Sequence, residues 1–424
     1  MKLQSISVSL LAAALLGLTA CGETDSEEEN STSSTIDIAY VKLFGTTAKD
    51  FADASAYDSE NNLYVVGSTK GNFETAQDSS NYDIFLRKLD PNGNTLCQFQ
   101  YGSNSDDSAD NVVIDSQNNI YVFGATYGDF DGHTHIGNQD IYVMKFNSSC
   151  EKQDSILIGT MEDDDASGMG IDGDDNIYIS GSTNGSINNQ PSQGGTDFFI
   201  TKLNSDLTEI WTTQDGSNGN DWSEDMAKDN NGALYVVGSI DNDIEGETSV
   251  RGGEDCLIAK YNTGDGSRIW ARSFGSENDN GGTDAANSVA VNSKGDAVVG
   301  YRSVADGSGI AYFSADGVKE WWKETEGYTN IPVAVGKDDT IYSGDGSYGS
   351  YKTLRKFTKD GEWVWSAQMQ TVGTFTNMWH KELTYNPNDG YVYVVGATET
   401  NFAEPFTSED AHTGSYDAYV VKYK

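Results

Sequence analysis

The sequence predicts an all-β fold, a seven-bladed β-propeller closed by pairing of the N-terminal strand with the C-terminal strand. Three observations predict it. A segment of the form D-x-A, a short turn, then N-x-Y-V-x-G-[SA]-T, or a worn version of it, occurs seven times, and an Asp-led strand ending in Lys follows in five of them. The aligned glycines are Gly67, Gly124, Gly181 and Gly238, each 57 residues after the last, then Gly300, Gly344 and Gly396. A fixed period of that length, made only of strand-like runs and turns, marks a circular β-repeat array. Finally, the last repeat stops after a third strand, and an unassigned strand-like segment precedes the first.

In chain order, residues 1–20 read as a lipoprotein signal peptide. Lys2 supplies positive charge, residues 8–16 an apolar stretch too short for a permanent span, and Leu18-Thr19-Ala20-Cys21 closes it. That ending resembles a bacterial lipobox, which makes Cys21 the expected lipidated residue. Gly22 follows, where an Asp would signal inner-membrane retention, so an outer-membrane lipid anchor is expected, with the membrane as a partner through the N-terminal lipid. Residues 21–35 are acidic and Ser-rich and read as a disordered tether, leaving 36–424 for the propeller.

Each full repeat contains four strand candidates, in the first unit 54–57, 63–67, 84–89 and 95–101. Asp58-Ser59-Glu60-Asn61-Asn62 and Asp90-Pro91-Asn92-Gly93-Asn94 separate them, and Asn and Gly accept the positive φ of tight hairpins. Third strands such as DIFLRKL, DIYVMKF and DFFITKL are apolar on both faces, as a blade packed between two neighbours requires. Segment 38–45 (IAYVKLFG) reads as an orphan fourth strand. Set beside 417–424 it completes the seventh blade and removes an open sheet edge.

Residues 107–126 and 140–146 carry the pattern in full, D-x-A-x-x-x-x-x-D-x-x-x-N-x-Y-V-x-G-x-T followed by D-x-[FY]-[VIL]-x-K-[LFY]. This pattern resembles the bacterial SBBP β-propeller repeat. Units five and six depart from it: 287–300 lacks N-x-Y, and neither 310–313 nor 353–357 has the leading Asp. The resemblance implies an extracytoplasmic, often surface-attached propeller, and implies no ligand or catalytic residue. The anchor also resembles that of outer-membrane-assembly propeller lipoproteins, whose Trp-containing repeat differs.

The net charge of −40 excludes nucleic acid as a partner. It leaves open a surface adapted to cation-rich surroundings or specific Ca²⁺ binding. Candidate metal ligands are Asp106, Asp107, Asp163 and Asp165, though one Asp per blade joint belongs to the repeat and is expected to accept backbone N–H bonds. Asp172-Gly173-Asp174-Asp175-Asn176 lacks the Gly and Glu of a complete Ca²⁺ loop and reads as a turn. Cys97 and Cys150 either pair between adjacent repeats or stay free, and Cys256 reads as a buried thiol.

Strand order places the long insertions 68–82, 125–139, 182–196, 239–254 and 397–416 on one face, with short connections in units five and six and a groove expected there. Candidate binding residues on that face are Trp222 and Trp379, for sugar stacking, with Asp107, Asp164 and Asp221 at the joints. No Ser-His-Asp group, nucleotide loop or Cys-x-x-Cys pair occurs. The expected function is a non-catalytic binding or scaffolding module for a protein or glycan partner. The alternatives are a polysaccharide hydrolase or lyase using entrance carboxylates, and an outer-membrane assembly factor.

Overall fold

The computed structural model describes residues 38–73, 78–244, 253–275, 282–303, 307–325, 330–344, 351–370, 378–402 and 414–424. The chain divides into two units, Met1–Ser34 and Thr35–Lys424, and the first lies outside the described residues. So do Cys21 and the tether.

Seven four-stranded antiparallel sheets follow one another. The first blade holds β2 (Asp50–Tyr57), β3 (Leu63–Gly71), β4 (Asp78–Leu89) and β5 (Thr95–Tyr101); the second β6 (Asp107–Ile114), β7 (Ile120–Thr126), β8 (Asp140–Phe146) and β9 (Lys152–Ile158). The third holds β10 (Asp164–Ile171), β11 (Ile177–Thr183), β12 (Asp197–Leu203) and β13 (Glu209–Asp215); the fourth β14 (Asp221–Lys228), β15 (Ala233–Ile240), β16 (Asp255–Asn262) and β17 (Arg268–Phe274). The fifth holds β18 (Ala285–Val291), β19 (Ala297–Arg302), β20 (Gly309–Phe313) and β21 (Lys319–Glu324); the sixth β22 (Val333–Val335), β23 (Ile341–Ser343), β24 (Tyr351–Phe357) and β25 (Trp363–Gln370). The seventh is β26 (Met378–Asn386), β27 (Tyr391–Thr398) and β28 (Asp417–Tyr423), completed by β1 (Ile38–Phe44). Val41 lies opposite Val421 and Leu43 opposite Tyr419, so the termini close the ring as the sequence predicts. The strands begin earlier than their apolar runs suggest, because polar residues such as Asp50 and Asp78 already pair.

The repeated polar residues build the ring. Asp58 Oδ1 accepts the Asn62 N–H at 2.9 Å, and Tyr64 donates its hydroxyl to Asp58 Oδ2 at 3.1 Å. The third-strand Lys88 pairs with Asp58 at 3.2 Å, lies over the Tyr64 ring, and donates to the Ser148 carbonyl of the next blade at 3.1 Å. Lys145 to Ser205, Lys202 to Thr263 and Lys260 to Ala315 repeat this clasp, and Lys422 to Pro91 carries it across the closure. Each ammonium is desolvated and receives a carbonyl, and those over a Tyr face gain a cation–π contact there. Fourth-strand tryptophans pack likewise: Trp270 donates to Ala315 O at 3.1 Å beneath the turn at Gly317.

On the opposite face, each joint glycine lies between two carboxylates. A Cβ on Gly216 would lie 2.7 Å from Asp221 Oδ2 and 3.0 Å from Asp197 Oδ1, and one on Gly45 would meet Asp417 and Asp50. The blade glycine is set by a different contact. Gly67, Gly124, Gly181, Gly238 and Gly396 each face an inner-strand carbonyl of the same blade, where a side chain would overlap it. Gly300 does not occupy this place. It pairs with Ser288, past the bulge, and Tyr301 takes the glycine's rung opposite Ala286. The glycine alignment of the fifth unit is therefore one residue early.

Candidate functional site

Loops assigned to one face meet there: Gly195 N–H reaches Gly219 O, Gln139 bridges to Asp163, and Lys49 bridges to Tyr416. Buried plugs anchor these loops, with Phe130 stacked on Tyr142 at 4.4 Å and Phe402 edge-on to Tyr419 at 5.2 Å. Phe73 likewise packs edge-on against Phe85 at 5.5 Å. The groove expected across blades five and six depends on residues 304–306 and 345–350, which lie outside the described residues.

Asp107, Asp164 and Asp221 are buried at the joints. They accept backbone N–H bonds from Ser103, Thr160 and Ser217, each at 2.5 Å. Burial raises all three carboxyls, Asp221 to about 6, each with a second Asp across the joint adding to the rise. Bonds occupy both oxygens of Asp164 and Asp221 and one of Asp107, whose Oδ1 has no hydrogen-bond partner among the described residues, so the three residues hold the joints. Asp106, Asp163 and Asp165 are exposed. Among the described residues no group of three or more His, Cys, Asp or Glu is arranged to hold a metal ion. His133 bonds Ser155 and His135 faces Asp140, so these two histidines serve separate partners.

The ring axis is where the repeat is broken. Six inner strands shift register just past the position of the repeat's D-x-A alanine, which His380 takes in the seventh blade. Bulges re-aim side chains, and the residue here varies around the ring: Asp53 and Asp110, then Ser167, Glu224, Asn287 and Lys381. Asp53 and Lys381 meet at 3.2 Å between the first and seventh blades. The Asp53 carboxylate holds the Lys381 ammonium above its usual range. Asp110 accepts the Ser108 hydroxyl at 2.9 Å, and its carboxyl is pushed up to about 7, chiefly by burial and then by Asp53. Deeper in, Asp225 accepts the Val289 N–H at 2.8 Å and Glu382 accepts the Ser55 N–H at 2.5 Å. Burial raises these carboxyls to about 7 and about 8. Lys381 and Glu224 are exposed to solvent.

Above Asp53 and Asp110 opens a cavity of about 290 Å³. Phe51, Tyr82 and Tyr127 form its aromatic wall, and Asp106, Asp107 and Lys381 join the two carboxyls at its polar side. Trp379 stands behind that wall, 6.2 Å from Phe51 and 4.8 Å from Tyr416. Trp222 occupies the same strand position in the fourth blade, three blades away, so the two candidate platforms do not act together. Asp53 and Lys381 were not singled out from the sequence. The signal lay in the variable residue after D-x-A, the place where an otherwise regular repeat changes charge.

The structure also forms the Cys97–Cys150 disulfide between the first two blades and buries Cys256 as a free thiol.

The profile of the SBBP β-propeller repeat matches residues 155–188. The regulatory protein FlaEY of Caulobacter vibrioides is 24% identical over 276 residues, 60% of this chain. The match spans only 28% of that relative's length. A solved structure of a protein of unknown function from Bacteroides caccae aligns with a TM-score of 0.42 at 7% identity, covering 72% of this chain and 93% of that one. With its seven four-stranded sheets and the first strand closing the last of them, the chain is a seven-bladed β-propeller, and the SBBP repeat match falls on its second and third blades.

Proposed function

We propose that the protein is a lipid-anchored cell-envelope propeller acting as a non-catalytic binding or scaffolding module for a protein or glycan partner. Its binding surface is the mouth over the seventh, first and second blades. One observation supports this most: the repeat's own polar residues are consumed in holding the ring, whereas Asp53, Asp110 and Lys381 break the pattern together beneath an aromatic wall. The Caulobacter relative is named a regulatory protein, a role that accords with binding.

A photocrosslinking residue at Tyr127, used in intact cells, tests the mouth. The expected product is a discrete adduct lost on Asp53→Asn/Asp110→Asn, and an adduct indifferent to that change argues against the mouth. For the anchor, Cys21→Ala is expected to move the protein from the membrane to the soluble fraction. Unchanged membrane association would remove the lipid.

The catalytic alternative rests on Asp110, whose carboxyl near 7 lies beside Asp53, a pairing that suits acid–base work. Product formation from a panel of neutral and acidic polysaccharides, abolished by Asp110→Asn, would replace the binding reading.

A further inference from the structure

We propose that the mouth between the seventh, first and second blades receives a basic side chain, an arginine or lysine of a protein partner, with Lys381 standing in for that cation in the free protein. The proposal rests on the binding reading and selects the protein partner over the glycan.

Charge is the first argument. Asp53, Asp106, Asp107 and Asp110 line one cavity and Lys381 is the cation among them, so the site carries an excess of carboxylate. Asp53 already holds an ammonium at 3.2 Å, which shows the geometry such a group takes here. The wall supplies the second argument. Lys70 Nζ lies 4.4 Å from the Tyr82 ring centre, so this aromatic already serves a cation. Tyr127 lines the same cavity and is half exposed. Trp379 would be the better sugar platform, but it is packed against Phe51 and Tyr416 behind the wall. Size is the third. A cavity of about 290 Å³ takes one long side chain rather than an oligosaccharide.

The titration of Asp110 agrees. Burial raises it most, then Asp53 and Asp165, while the Ser108 bond and Lys381 lower it, and Asp106 and Asp107 line the same cavity. An entering cation favours the ionised carboxyl, so binding releases a proton and tightens between pH 6 and pH 8. The net charge of −40 steers basic partners and makes their approach salt-dependent.

The test uses the whole 36–424 propeller and three fluorescein-labelled hexapeptides, of arginine, of lysine and of neutral citrulline, with anisotropy read at physiological salt. Asp53→Asn/Asp110→Asn is compared with Asp174→Asn/Asp316→Asn, which removes the same charge from exposed hairpins on the opposite face. The first variant is expected to weaken the arginine peptide by about tenfold or more, roughly 1.4 kcal/mol, and the second by less than about twofold. Both variants must keep the parent's thermal midpoint. Equal weakening by the two variants, or equal binding of the citrulline peptide, overturns the proposal. Binding of a neutral hexasaccharide, lost only in the first variant, also overturns it while leaving the mouth as a binding site. Turnover of that sugar would instead overturn the binding reading itself.

Discussion

Leu43→Ala tests whether the ring is sealed by β1. Leu43 is 1% exposed and packs with Tyr419, Val421 and Val394 in the seventh blade's core. Removing a buried leucine side chain to Cβ costs about 2–5 kcal/mol, the lost transfer energy plus the cavity left behind. The matched control is Leu96→Ala, the same chemical change on the outer strand of the first blade, where Leu96 is 55% exposed. That change is expected to stay within about 0.5 kcal/mol. Urea unfolding followed by intrinsic fluorescence reads both. Because each blade leans on its neighbours and the seventh joins both ends, the Leu43 variant should shift the whole transition rather than add an early step. Equal midpoints for the two variants would refute the closure, since β1 would then contribute no more than an exposed edge.

Other outcomes follow from the same coordinates. The Cys97–Cys150 bond closes a loop across a separation of 53 residues, so reduction or Cys97→Ser/Cys150→Ser is expected to lower stability by about 4 kcal/mol on the chain-entropy account; an unchanged urea midpoint in reductant would contradict it. Gly216→Ala drives a methyl between Asp197 and Asp221 and should destabilise by more than about 1 kcal/mol, whereas Gly170→Ala, whose Cβ meets Lys228 Cβ at 3.8 Å, should be nearly neutral in the same assay. Glu382 sets a pH dependence. Its folded carboxyl titrates at about 8, above the usual 4.5, so the fold holds a proton that the unfolded chain has released, and stability falls as pH rises between those values. Glu382→Gln keeps an acceptor for the Ser55 N–H and should gain roughly 1–3 kcal/mol at pH 9, the partial exposure of Glu382 reducing the full shift, with little change at pH 5. Parallel stability–pH curves for parent and variant would show that Glu382 is not held protonated.

Why the repeat was legible and the site was not has one physical cause. Hairpin Asp, turn Asn, strand Tyr and third-strand Lys recur because each blade must satisfy the same desolvated groups against its neighbour, as Asp58, Tyr64 and Lys88 do. Requirements repeated at a fixed spacing leave a pattern. Binding at a single axis needs no repetition, so Asp53, Asp110 and Lys381 each look like one variable residue in a degenerate position. The same reasoning explains the candidates that were placed elsewhere. Asp107, Asp164 and Asp221 stood out because they repeat, and repetition marked them as joint residues.

Sequence alone determined the number of blades, their strand order, the partner of the first strand and the face on which the long loops gather, because these follow from periodicity and alternation along the chain. Tertiary structure alone decided that Cys97 meets Cys150, that Tyr301 rather than Gly300 takes the glycine's rung, and that one ammonium and several carboxylates share a single mouth. Those facts depend on distances between residues far apart in the chain, which appear only once the ring brings the seventh blade against the first.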